Sequence, residues 1–140
     1  MHVEIKDVIL MNFTGSSTPD TGIFTFNNYP LTYTEVTGIH VSDSVLLKSP
    51  IIENFVPIES FLLQNLTLSN VSTTSGESII VLSNIKHTEF SNFTFMSVFN
   101  SDSDNEGSAI IKITSIDLDS EYDTEIIKVI HWLFLMCFRM

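Results

Sequence analysis

The segment Asn100-Ser101-Asp102-Ser103-Asp104-Asn105-Glu106-Gly107 has the composition that comes nearest to a chemical site. Carboxylates at alternate positions followed by glycine suit a hard cation such as calcium, which needs several oxygen ligands. Asp102, Asp104 and Glu106 are the candidate ligands. The glutamate that closes an EF-hand loop would fall at Ile113, so the motif is incomplete, and a solvated acidic turn is the stronger reading. Asp117, Asp119, Glu121 and Asp123 form a second acidic segment read the same way.

Four sequons offer a different chemistry, that of glycan attachment: Asn12-Phe13-Thr14, Asn65-Leu66-Thr67, Asn70-Val71-Ser72 and Asn92-Phe93-Thr94. Such use requires a secreted or cell-surface protein. Catalytic constellations are thin. His40 has no acid or nucleophile brought to it by sequence pattern, and the only arginine is Arg139 near the C-terminus. No Gly-rich phosphate loop, paired cysteine or Ser-His-Asp order occurs, and Cys137 stands alone. The reading that follows is non-enzymatic, with no cofactor. A formal charge of −11, with six Lys plus Arg against 17 Asp plus Glu, argues against a nucleic-acid partner.

The elements that would position these residues announce themselves as a repeat of about 27 residues. Asn12, Gly38, Asn65 and Asn92 fall in one column, at steps of 26, 27 and 27. Asn and Gly accept a positive φ most readily, so this column predicts a repeated sharp bend between two short strands. Two positions before it stand Leu10, Val36, Leu63 and Phe90, and one after it Phe13, Ile39, Leu66 and Phe93. Both sets are apolar at every level and predict interior ladders. Thr14, His40, Thr67 and Thr94 should then face outward. A second strand follows a glycine in each unit: Phe24-Thr25-Phe26, Ser78 to Leu82, and Ala109 to Ile113, with Thr25 and Lys112 pointing out.

Short strands, polar turns and no amphipathic helix predict an all-β parallel solenoid of about four coils over residues 8–118. The runs Leu63-Gln64-Asn65-Leu66-Thr67-Leu68-Ser69-Asn70 and Glu89-Phe90-Ser91-Asn92-Phe93-Thr94-Phe95 resemble the right-handed parallel β-helix, or pectin-lyase-like, superfamily. Gly107-Ser108-Ala109-Ile110 is similar to the Gly-Gly-Ala-Ile signature of polymorphic membrane-protein repeats, lacking its second glycine. The resemblance specifies an architecture and no chemistry. The runs Leu63-x-x-Leu66-x-Leu68 and Phe90-x-x-Phe93-x-Phe95 also open like a leucine-rich repeat, although Val71 and Val98 stand where that repeat wants Asn or Cys.

With the bend column in place, Asn12, Asn65 and Asn92 are expected to be committed to a stacked ladder. Asn70, outside that column, is the better glycan acceptor. Polysaccharide-acting β-helix enzymes place carboxylates with Arg or Lys on one outward face. The outward column read here carries threonines and one histidine.

Residues 119–140 break the pattern: an acidic linker, then an apolar tail from Ile126 to Phe138. That run is shorter than the ~20 residues of a membrane-spanning helix and is expected to be irregular or helical. It reads as a cap, as a truncated membrane anchor or as out-of-frame sequence, and membrane association through residues 126–138 stays open. Met1 to Leu10 does not read as a signal peptide. The expectation is therefore a fragment of a larger extracellular or cell-surface β-helix protein. It would act as a scaffold in adhesion or recognition of carbohydrate or another surface protein. The alternative is a partial or degenerate polysaccharide-acting enzyme, either a lyase or a glycoside hydrolase.

Overall fold

The computed structural model describes residues 1–15, 22–47, 50–73, 78–100, 110–114 and 126–139. Nine strands run in chain order: β1 (His2–Met11), β2 (Phe24–Phe26), β3 (Leu31–Leu46), β4 (Ile52–Asn54), β5 (Ile58–Thr73), β6 (Ile80–Ser83), β7 (Ile85–Asn100), β8 (Ile111–Thr114) and β9 (Ile126–Arg139). The long strands form one sheet, β1-β3-β5-β7-β9, and the short ones a second, β2-β4-β6-β8. Every pairing within them is parallel. Long and short strands alternate along the chain, so it winds as a parallel β-solenoid of about three turns. The return segments are strands, which separates this fold from the leucine-rich solenoid.

Sixteen-residue strands cannot run straight around a coil, and the sequence supplies their corners. Gly38, Asn65 and Asn92 have φ of 69°, 55° and 59°, and Asp43, Asn70 and Ser97 follow five residues later with φ of 50°, 53° and 51°. At each such residue the in-out alternation slips by one, so Leu63 and Leu66, three apart, both face the core. Hence the spacing apolar-x-x-apolar-x-apolar-x-x-apolar in Leu63, Leu66, Leu68 and Val71. A residue in the left-handed region costs about 1–2 kcal/mol, least for Gly, Asn and Asp.

The bends form two columns where one was expected. Pairing of Val8 with Ile39 and of Lys6 with Thr37 sets Asp7 opposite Gly38, so the first column is Asp7, Gly38, Asn65, Asn92. Asn12 has the expected positive φ of 51° but lies opposite Asp43, in the second column with Asn70 and Ser97. The first step of the repeat is therefore 31 residues, Ile5 to Val36, not 26. In the first unit two bends lie five residues apart, Asp7 and Asn12, each followed by an apolar residue, so its sequence fits the repeat at either bend.

Val8, not Phe13, shares the column of Ile39, Leu66 and Phe93, while Ile5, not Leu10, heads that of Val36, Leu63 and Phe90. Ile9, not Thr14, precedes His40, Thr67 and Thr94. Thr14 instead bridges to Val45.

Inside the coils, side-chain size on the long-strand wall grows from level to level. From β3 to β5 to β7 the three central positions change from Val36, Ile39, Val41 to Leu63, Leu66, Leu68 to Phe90, Phe93, Phe95, all buried. Ile5, Val8, Leu10, Phe24 and Phe26 of the first coil, and Ile111 and Ile113 of the fourth, are partly buried and pack against this core. Phe93 lies 5.6 Å from Phe90 and 5.8 Å from Phe95 by ring centroid.

Residues 126–139, expected to be irregular or helical, are strand β9, paired with β7 from His87–Ile126 to Asn100–Arg139. Phe90 pairs with Val129, a step of 39 residues, so the 27-residue count lost the strand inside a longer connection. Its Ile, Val, Leu, Phe and Trp content suits a strand, the state such residues favour.

Candidate functional site

Over residues 33–36, 60–63 and 87–90, more exposed and buried positions alternate, after a buried residue (Leu31, Ile58, Ile85) at the start of each strand. In β3, Thr34 and Val36 are buried, so Tyr33 and Glu35 lie on the outer face. Stacking repeats the division at every level. One outward column runs His2, Tyr33, Ser60, His87 and its neighbour Glu4, Glu35, Leu62, Glu89, with Lys6, Thr37 and Gln64 beside it. Seven titratable side chains of β1, β3, β5 and β7 therefore share one face, and Lys128 of β9 follows Glu89 at the same register. Strand spacing of about 4.8 Å makes each column a ladder of near neighbours.

Lys6 Nζ lies between two carboxylates of adjacent coils, Glu4 Oε1 and, at 3.8 Å, Glu35 Oε1. Tyr33 donates its hydroxyl to Glu35 Oε2 at 3.3 Å, and the His2 ring packs against Tyr33 edge-on at 4.8 Å. Glu4 is held below its ordinary pKa by its hydrogen bond with Lys6, and that bond raises Lys6 in turn. Burial, then the Glu35 carboxylate, pushes the Tyr33 phenol above its usual value.

Tyr33, Ser60, Leu62, His87 and Glu89 surround a recess of about 240 Å3 whose lining also includes Phe61 and Thr88. The last two side chains are buried on the inner side of the sheet, so they floor the recess with main chain. The hollow exists because Ser60 is short and sits between the longer Tyr33 and His87.

Sequence reasoning placed the outward chemistry one strand segment too late, on His40, Thr67 and Thr94, which are half-buried. Their column carries no carboxylate. The missed signal was Glu35 and Glu89 standing at equal distance before their bends, since a charge repeated at one register must point outward.

The sequon asparagines are all exposed. Asn92 Nδ2 donates to Asn65 Oδ1 at 3.1 Å and Asn65 Nδ2 to Thr37 Oγ1 at 3.3 Å, so amides and hydroxyl link three coils. Asn70, separated from the ladder by sequence reasoning, is itself a bend residue, and its Nδ2 donates to Asp43 Oδ1 at 2.8 Å. Asp102, Asp104 and Glu106 lie outside the described residues, as do Asp117, Asp119, Glu121 and Asp123. Among the described residues, no group of three or more His, Cys, Asp or Glu is placed to hold a metal ion. Among them, too, no helix is long and apolar enough to cross a membrane.

No protein family, curated protein or solved structure matches the chain.

Proposed function

We propose that this chain is a segment of a larger surface or secreted β-helix protein of the pectin-lyase-like kind, a non-enzymatic scaffold for adhesion or recognition. Its partner would be carbohydrate or another surface protein. The observation that carries this reading is the outer face before the first bend. There, side chains of fixed spacing repeat over consecutive coils and enclose a shallow recess. A rigid sheet that presents a regular lattice of polar and aromatic groups suits recognition, since little ordering is needed on contact.

One observation favours the second reading, a polysaccharide-acting enzyme: Glu4, Glu35 and Lys6 converge on that face. Glu4 and Lys6 hold each other in their charged forms, the reverse of what a general acid requires, which is a carboxyl pKa raised toward neutrality. Scaffold is the better account. The deciding experiment incubates the chain with immobilised acidic and neutral polysaccharides and follows retention together with release of reducing ends or unsaturated products. Retention without turnover is expected. Turnover that disappears in Glu35→Gln would replace the scaffold with an enzyme.

A further inference from the structure

We propose that Asn12 is the N-glycan acceptor of this chain. The assignment deepens the surface or secreted reading and rests on it, because sequons are used by chains that enter a secretory compartment. The donor is an oligosaccharide linked to a lipid diphosphate, delivered by a transferase. Asn12 Nδ2 forms the new bond to the anomeric carbon and gives up a proton. The bond from that carbon to the diphosphate oxygen breaks, and its electron pair leaves with the lipid diphosphate. The nitrogen must therefore be reachable, and so must the hydroxyl two residues on that defines the sequon.

Four sequons share one local pattern, and the coil stack separates them. Three acceptor nitrogens already donate between coils: Asn65 Nδ2 to Thr37, Asn92 Nδ2 to Asn65 and Asn70 Nδ2 to Asp43. Asn12 is exposed, and its Nδ2 makes no hydrogen bond among the described residues. The hydroxyls divide the same way, independently of the amides. Thr14 is exposed, whereas Thr67, Ser72 and Thr94 are half-buried. The middle residues Leu66, Val71 and Phe93 are buried and pin their sequons to the core wall, while Phe13 is half-buried. Strand order supplies the reason. Asn65 and Asn70 lie inside β5 and Asn92 inside β7, each with a strand on either side. β1 is the edge of the long-strand sheet and ends at Met11, so Asn12 has the Asp43 coil on one side and no described strand on the other. Coils about 4.8 Å apart leave little room for a sugar ring between two of them, and an edge leaves room on its open side. The expected preference for Asn70 is thereby reversed.

The test incubates the full chain, folded and free of glycan, with a single-subunit oligosaccharyl transferase and a lipid-diphosphate-linked oligosaccharide. Mass spectrometry of proteolytic peptides scores each sequon, and four synthetic peptides spanning the sequons give the rate of each site outside the fold. Asn12 should slow least on folding. Each of the other amides must first break a hydrogen bond, worth about 2–10-fold in population, so their rates should fall by at least that factor. Thr14→Val, which removes the hydroxyl from an exposed position, should abolish modification of Asn12 and leave the circular dichroism spectrum unchanged. A folded chain in which Asn12 is slowed as much as the other three, or that is modified first at Asn65, Asn70 or Asn92, overturns the proposal. The protein isolated from its natural source should carry its glycan on Asn12. A natural protein bare at every sequon, beside a preference for Asn12 in the folded chain, overturns the surface or secreted reading and with it the use of the site. Failure in the folded chain overturns the site alone.

Discussion

Asn54→Ala should be among the most damaging single substitutions in this chain, although it removes a polar residue. Asn54 ends β4, is 1% exposed, and lies in the coil interior where its column neighbours are Phe26 and Leu82. Its Nδ2 donates to Val56 O at 2.8 Å and to Ser83 O at 2.6 Å, while its Oδ1 accepts from Ser83 N at 2.7 Å. One amide thus holds the corner of its own coil and ties it to the next. Truncation strands three main-chain groups, and Ser83 itself is buried. Each unsatisfied buried group costs about 1–3 kcal/mol, and partial relaxation brings the sum to about 3–6 kcal/mol. A whole domain holds only about 5–15 kcal/mol, so the variant should lose a large part of its stability. Urea unfolding followed by circular dichroism would show a lower midpoint at unchanged slope. Asn54→Asp sharpens the reasoning: it keeps an acceptor for Ser83 N but loses both donors and buries a carboxylate. Burial raises such a carboxyl above its unfolded pKa, so this variant should regain stability as pH falls and lose it as pH rises through that window. A midpoint for Asn54→Ala corresponding to less than ~1 kcal/mol of loss would refute the account.

Leu66→Ala, at a position with no exposure in the centre of the stack, should cost about 2–5 kcal/mol, read from the same urea curves. Asn92→Ala, on the exposed ladder, should cost about 1 kcal/mol, the sum of one modest hydrogen bond and a less tolerant positive φ. Gly38→Ala should be worse than Asn92→Ala, because φ is 69° and the new Cβ would sit 2.7 Å from Asp7 Oδ1; thermal melts compare the two. Spectrophotometric titration should find Tyr33 ionising above an ordinary tyrosine, with Glu35→Gln moving it only part of the way back, because burial is the larger cause. Since its folded pKa is raised, its contribution to stability is full below the unfolded value and is lost as pH climbs through the folded one. Tyr33→Phe should remove that alkaline slope.

Much of the solenoid was legible in the sequence because stacking at one strand spacing imposes the same residue type at the same register. Val36, Leu63 and Phe90 could be aligned without coordinates, and so could Ile39, Leu66 and Phe93, since an interior column tolerates no charge. Positive φ at Asn65 and Asn92 was equally readable, being a property of asparagine before it is a property of the fold. The chain also carried, unread, the outward repetition of Glu35 and Glu89.

Three things were decided only by tertiary structure. Asn12-Phe13-Thr14 matches Asn92-Phe93-Thr94 residue for residue, yet pairing of β1 with β3 assigns Asn12 to the second bend. Local sequence cannot choose between two bends with the same local preference; only the hydrogen-bonded register of a whole strand can. Strand β9 was hidden because a connection of variable length costs chain entropy that grows only slowly with length, so nothing forces the next coil to arrive after 27 residues. Finally, the recess beside Tyr33 depends on Ser60 lying between Tyr33 and His87, residues 27 apart on successive coils. Which side chains become neighbours across a sheet is set by register, and register is a property of the assembled stack.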